Sequence, residues 1–80
     1  MNPHGFEILG PIRHVETIAI GQGVLARRRL RRMHGGNRWR KMKGIAMIRD
    51  FSGDEYEAEI HWFEAHGVGR REWKIKRRVA

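Results

Sequence analysis

The chain has no cysteine. That single absence removes a disulfide framework, a thiolate zinc site and a cysteine nucleophile. Small secreted domains usually need disulfide staples, so their lack favours a reducing compartment, and the chain is read as cytoplasmic. No apolar run approaches the roughly 18 residues that a membrane helix needs. The opening MNPHGFEILG has no basic segment followed by an apolar stretch, so no leader and no membrane partner are expected. Acid is also scarce: nine Asp and Glu stand against seventeen Lys and Arg, a net charge of +8. Such an excess points to a polyanionic partner. Eighty residues allow one small core, and residues 1–80 are read as a single small domain.

The positive charge is unevenly placed. Residues 27–43 carry Arg27, Arg28, Arg29, Arg31, Arg32, Arg38, Arg40, Lys41 and Lys43 without an acid. Residues 50–64 carry six acids and no Lys or Arg, and residues 70–78 carry six bases and one acid. There is no internal repeat and no low-complexity tail.

Periodicity predicts an α+β chain: one short basic helix packed on a small antiparallel sheet of about five strands, the last three forming a meander. The first two strands are Phe6–Leu9 and Val15–Ile20, broken by Gly10-Pro11, which removes a ladder donor and turns the chain. Leu25–His34 is rich in helix formers, with Ala26, Leu30 and Met33 on one face. Gly35-Gly36 supplies the stop, while no Ser, Thr, Asp or Asn caps the start. Asn37–Met42 reads as a basic linker. Lys43–Asp50, Tyr56–Glu64 and Arg71–Val79 read as strands joined by hairpin connections. In the first of these hairpins, Ile45 and Met47 or Ala46 and Ile48 can supply the buried face. In the second, a four-residue loop His66–Gly69 sets Trp62 opposite Trp73 and Ile60 opposite Ile75. The other face then carries Glu59 against Lys76, Glu57 against Arg78 and His61 against Lys74, while Glu64 meets Arg71 on the tryptophan face near the turn. A shorter helix would suit an SH3-like small β-barrel as the alternative fold.

Two constellations carry chemistry. Arg27, Arg28, Arg31 and Arg32 repeat at one helical turn, which matches a phosphate backbone: arginine forks two donors onto phosphate oxygens, and neutralised phosphates release counterions. Arg38, Trp39, Arg40, Lys41 and Lys43 extend that surface, interleaving a ring with cations so that a base can stack, unless Trp39 folds back as a core anchor. The other constellation is His61 and Glu59 with Arg70, Lys74 and Lys76. A general base, a general acid and cations beside a developing phosphorane are what metal-independent RNA cleavage needs. The plainer alternative makes them a salt-bridged surface with His61 solvated opposite Lys74. Five scattered His offer no zinc spacing, and the lone Gly21-Gln22-Gly23 lacks the third glycine or lysine of a nucleotide loop. No metal and no cofactor are expected.

A helix followed by an antiparallel sheet whose last strands carry basic and His residues is similar in outline, over residues 25–79, to the small bacterial ribonuclease toxins of the barnase, colicin nuclease and RelE type. The resemblance is architectural and assigns no catalytic residue. The leading expectation is a nucleic-acid-binding domain, RNA slightly preferred over DNA because no recognition-helix pair or zinc finger is visible. A small metal-independent endoribonuclease and an adaptor for an acidic protein are the alternatives.

Overall fold

The computed structural model describes residues 5–79; the first four residues and Ala80, included in the single-domain reading, lie outside them. The elements are β1 (Phe6–Ile8), β2 (Arg13–Ile20), a 3-10 turn (Gly21–Gly23), α1 (Arg27–His34), β3 (Arg40–Asp50), β4 (Glu55–Ala65) and β5 (Gly69–Arg78). Every strand pairing is antiparallel. One edge of β3 pairs with β4, and the other edge receives β1 and then β2. β5 lies on the far side of β4. The sheet curls into a half-barrel, and with one short helix among the described residues it suits either an α+β or a small-barrel description.

Sequence periodicity locates these strands but understates β3. The expected linker 37–42 ends early, because Arg40, Lys41 and Met42 pair with Glu64, Phe63 and Trp62. Charged residues are tolerated in this strand because their partners complement them: Arg40 reaches Glu64 at 2.9 Å, and the Lys41 ammonium lies 6.0 Å from the Phe63 ring. Of the two faces possible for β3, Ala46 and Ile48 are fully buried, while Met47 is exposed. They join Phe6, Met42, Ala58, Ile60 and Trp62 in the main core.

Helix α1 packs on the opposite face. Leu30, fully buried, clusters with Val24, Trp39 and Ala65. The helix begins two residues later than expected, since Ala26 at its N-cap offers no side-chain acceptor and Leu25 projects into solvent at 96% exposure. Met33, expected to share the buried face, is 63% exposed. Eight residues make little more than two turns, and Leu30 alone satisfies the small apolar patch beneath them. Gly35, at φ 76°, ends the helix with its N–H on Arg31 O at 2.9 Å.

The β4–β5 register matches expectation at its centre and slips at both ends. Ile60 faces Ile75 and His61 faces Lys74, and the Trp62 and Trp73 rings stack at 4.8 Å. Toward the turn, Ala65 pairs with Gly69 and Glu64 with Arg70 rather than Arg71. Toward the chain end, Glu59 pairs with Arg77 rather than Lys76, and Ala58 rather than Glu57 pairs with Arg78. Each slip inserts one extra residue on β5, as a β-bulge does. The loop is accordingly one residue shorter than expected, with Gly69 at φ 86° entering the ladder.

Gly44 is the tightest point of the sheet. A Cβ there would stand 2.5 Å from Ile12 Cγ2, 3.2 Å from Arg13 O and 3.3 Å from Trp62 Cη2. The chain that crosses from β1 to β2 after Gly10-Pro11 therefore rests directly on β3. Gly44→Ala is expected to cost about 1–3 kcal/mol by overpacking, and Trp62→Ala about 3–5 kcal/mol by leaving a cavity. Urea unfolding measures both, and wild-type midpoints would contradict this packing.

Candidate nucleic-acid interface

Every glutamate of the chain is engaged by a cation. Glu7 and Glu55 both hold Arg49, Glu16 holds Lys43, and Glu57 holds Arg13. Glu59 bridges His61 and Arg77, Glu64 bridges Arg40 and Arg70, and Glu72 bridges Arg29 and His34. Asp50 turns inward to its own loop, accepting from Ser52 N, Ser52 Oγ and Asp54 N. The Ser52 hydroxyl is the main reason its carboxyl is held below the ordinary range. Exposed pairs of this kind contribute little stability each. Their consequence is the location of the charge they leave over.

Glu72 decides what α1 presents. It sits in the first β5 bulge at φ 58°, a left-handed conformation that costs a non-glycine residue free energy. The bulge re-aims its carboxylate at the helix, where Arg29 Nη1 donates at 2.7 Å and His34 Nε2 lies at 3.0 Å. The Arg29 hydrogen bond, followed by that of His34, holds the Glu72 carboxyl below the usual range despite partial burial. Arg29 is thereby neutralised on the sheet side. Arg28, Arg31 and Arg32 are exposed, at the i, i+3 and i+4 spacing that makes neighbours on a helix surface, and none has an ion pair among the described residues.

The other proposed contacts divide. Arg38, exposed at φ 54°, likewise has no ion pair among the described residues. Arg27 is half-buried and donates to Gln22 O at 3.3 Å. Arg40 and Lys43 are already paired with acids. Trp39 is 1% exposed, and its Nε1–H donates to Gly35 O at 3.0 Å. It is the anchor of the second core, so its ring is not offered to a base. The basic segment 27–43 therefore splits into an anchoring part and a free part, a division invisible in a sequence that shows no acid nearby.

The catalytic alternative is rearranged more deeply. His61 is not solvated: it is 8% exposed, and its Nε2 lies 2.8 Å from Glu59 Oε2. The hydrogen bond from His61, with Arg77 nearby, holds the Glu59 carboxyl below its ordinary range, and the His61 Nδ1 is buried without a hydrogen-bond partner among the described residues. Lys74 does stand opposite His61, whereas Lys76 falls in the second bulge. Arg70 belongs to the other face, its guanidinium 5.1 Å from the Trp62 ring. The five residues do not converge around one point, and the pairings of Lys76 with Glu59 and of Arg78 with Glu57 give way to Arg77 with Glu59 and Arg13 with Glu57.

No group of three His, Asp or Glu side chains is placed to hold a metal ion among the described residues. Among the same residues no helix is long and apolar enough to cross a membrane. No family model, curated protein or solved structure matches the chain, and its functional reading rests on this geometry.

Because the Glu72 carboxyl is depressed in the folded state, its contribution is fully present above the ordinary glutamate range and is lost as pH falls through its folded value. Glu72→Gln is therefore expected to lower the melting temperature at neutral pH, with the deficit shrinking as pH falls below the ordinary glutamate range. A pH-independent deficit in thermal melts would assign the loss to the bulge rather than to the charge.

Proposed function

We propose that the protein binds nucleic acid, RNA by preference, through phosphate contacts from Arg28, Arg31, Arg32 and Arg38. The observation that carries this reading is the set of exposed arginines left without an acid while every glutamate is engaged elsewhere. Like charges held together repel one another and cost stability; a polyanion relieves that repulsion. An eight-residue helix suits backbone contact better than deep groove insertion, and backbone contact is sequence-tolerant. The ribonuclease reading is weaker because the Glu59–His61 pair is enclosed, and proton transfer to a scissile phosphodiester needs hydrogen-bond reach of the reacting oxygen.

The test is fluorescence anisotropy with a single-stranded and a structured RNA over a salt series in EDTA. Replacing Arg28, Arg31 and Arg32 by Ala is expected to flatten the slope of log affinity against log salt by roughly 2–3, at about 0.7–0.9 for each phosphate that is no longer neutralised. Arg49→Ala, which removes a cation already held by Glu7 and Glu55, is expected to leave the slope unchanged. Equal effects of the two variants would overturn the assignment. RNA recovered intact is the expected product analysis; cleavage abolished by His61→Ala would replace binding with catalysis.

A further inference from the structure

We infer that a cleft beside the β3–β4 turn seats a nucleobase of a single-stranded nucleic acid, an extension that rests on the binding reading above. The cleft measures about 340 Å³, and Phe6, Asp50, Phe51, Tyr56, Trp73 and Lys74 are among its lining residues. Four of its eight lining residues are aromatic; Phe6 is buried and Trp73 already stacks on Trp62, so the exposed Phe51 ring supplies the open π face that an unstacked base requires. The volume lies at the lower end of the range for small-ligand pockets, which suits one base rather than a larger group.

Phe51 is the observation that calls for a ligand. It is 93% exposed at the tip of the hairpin, and the turn does not depend on its ring. Asp50 Oδ1 holds Ser52 and Asp54, and backbone bonds join Asp50 with Asp54 and Gly53 with Asp50. A phenyl ring placed in solvent by a self-sufficient turn contributes nothing to the core, yet it forms one wall of the cleft.

The charges around the cleft complement a strand of phosphates. Lys74 is exposed on its rim and has no ion pair among the described residues. The Arg78 guanidinium lies 4.9 Å from the Tyr56 ring, on the same strand as Lys74. Arg71 and Lys76, also on β5, are exposed and have no ion pair among the described residues. The only acid in the cleft wall among the described residues, Asp50, is turned into its own loop. Strand β5 begins beside α1, through Glu72 and Arg29, and passes the cleft at Trp73–Ile75. A single strand running along β5 therefore meets cations throughout and an aromatic seat on the way. A duplex keeps its bases stacked and cannot use that seat.

The test compares two strands with the same number of phosphates, about ten, within the range that small single-strand-binding folds cover. One is a deoxyadenosine strand and the other a tetrahydrofuran–phosphate strand that lacks bases. The deoxyadenosine strand is expected to bind roughly tenfold more tightly, the equivalent of one stacked base. It should also quench tryptophan fluorescence through Trp73, because Trp39 and Trp62 are each 1% exposed. Phe51→Ala is expected to remove most of the difference while leaving the abasic strand unaffected, and Phe51→Tyr to restore it. Equal affinities for the two strands, or a difference that survives Phe51→Ala, would overturn the base seat while leaving phosphate binding intact. Failure of both strands to bind would overturn the binding reading itself, and with it the seat.

Discussion

Strand β3 is the constraint on which the rest of the structure depends. It is paired along one edge with β4 over ten residues and along the other with β1 and β2. Every strand except β5 is thus hydrogen bonded to it directly. Near its middle, Gly44 lets the chain between β1 and β2 lie against the backbone while Trp62 closes the same space from β4. A methyl group there would press on Ile12 and on the first residue of β2, the strand that carries Ala19 to the cluster against α1.

Charge is arranged by a second scarcity. With only nine acids for seventeen Lys and Arg, each ion pair that stabilises the fold also selects which cations remain free. Glu72 shows the selection most clearly. A bulge with a strained residue aims one carboxylate at Arg29 and His34, fastening the helix to β5 and leaving Arg28, Arg31 and Arg32 to face solvent. Bulges are commonly found where a side chain has to be re-aimed, and here the re-aimed group determines the electrostatic character of a whole surface.

Much of this is legible in the residues themselves. Alternation in IHW and WKI is enough to bring Ile60 to Ile75 and Trp62 to Trp73, because a one-residue slip would expose both apolar pairs. The same alternation cannot reveal the two bulges, since inserting Glu72 and Lys76 leaves the central pairs intact and alters only the ends. Hence Glu59 receives Arg77, and the partners expected for Glu57 and Lys76 do not form. Trp39 is ambiguous for a different reason: a ring among cations looks the same whether it stacks on a ligand or enters a core. Its burial is decided by Leu30, Val24 and Ala65, which are distant in the chain. His61 eludes cross-strand pairing rules because its carboxylate partner lies two positions away on the same strand and the same face, while those rules point to the lysine opposite. Phe51 carries a signal in the sequence too, as an aromatic residue in a turn otherwise made of Asp, Ser and Gly.

The two bulges of β5 have an effect on association as well as on register. An edge strand with a regular ladder is a template on which another chain can continue the sheet. β5 is such an edge, but its repeat is interrupted twice within ten residues, and Arg71, Lys74 and Lys76 project from it. A second copy approaching in register would meet kinks where it needs straight backbone and positive charge where it needs neutrality. The same irregular, basic margin thus guards the sheet against growth, and neutralising its lysines would weaken that guard even if every internal contact of the fold were preserved.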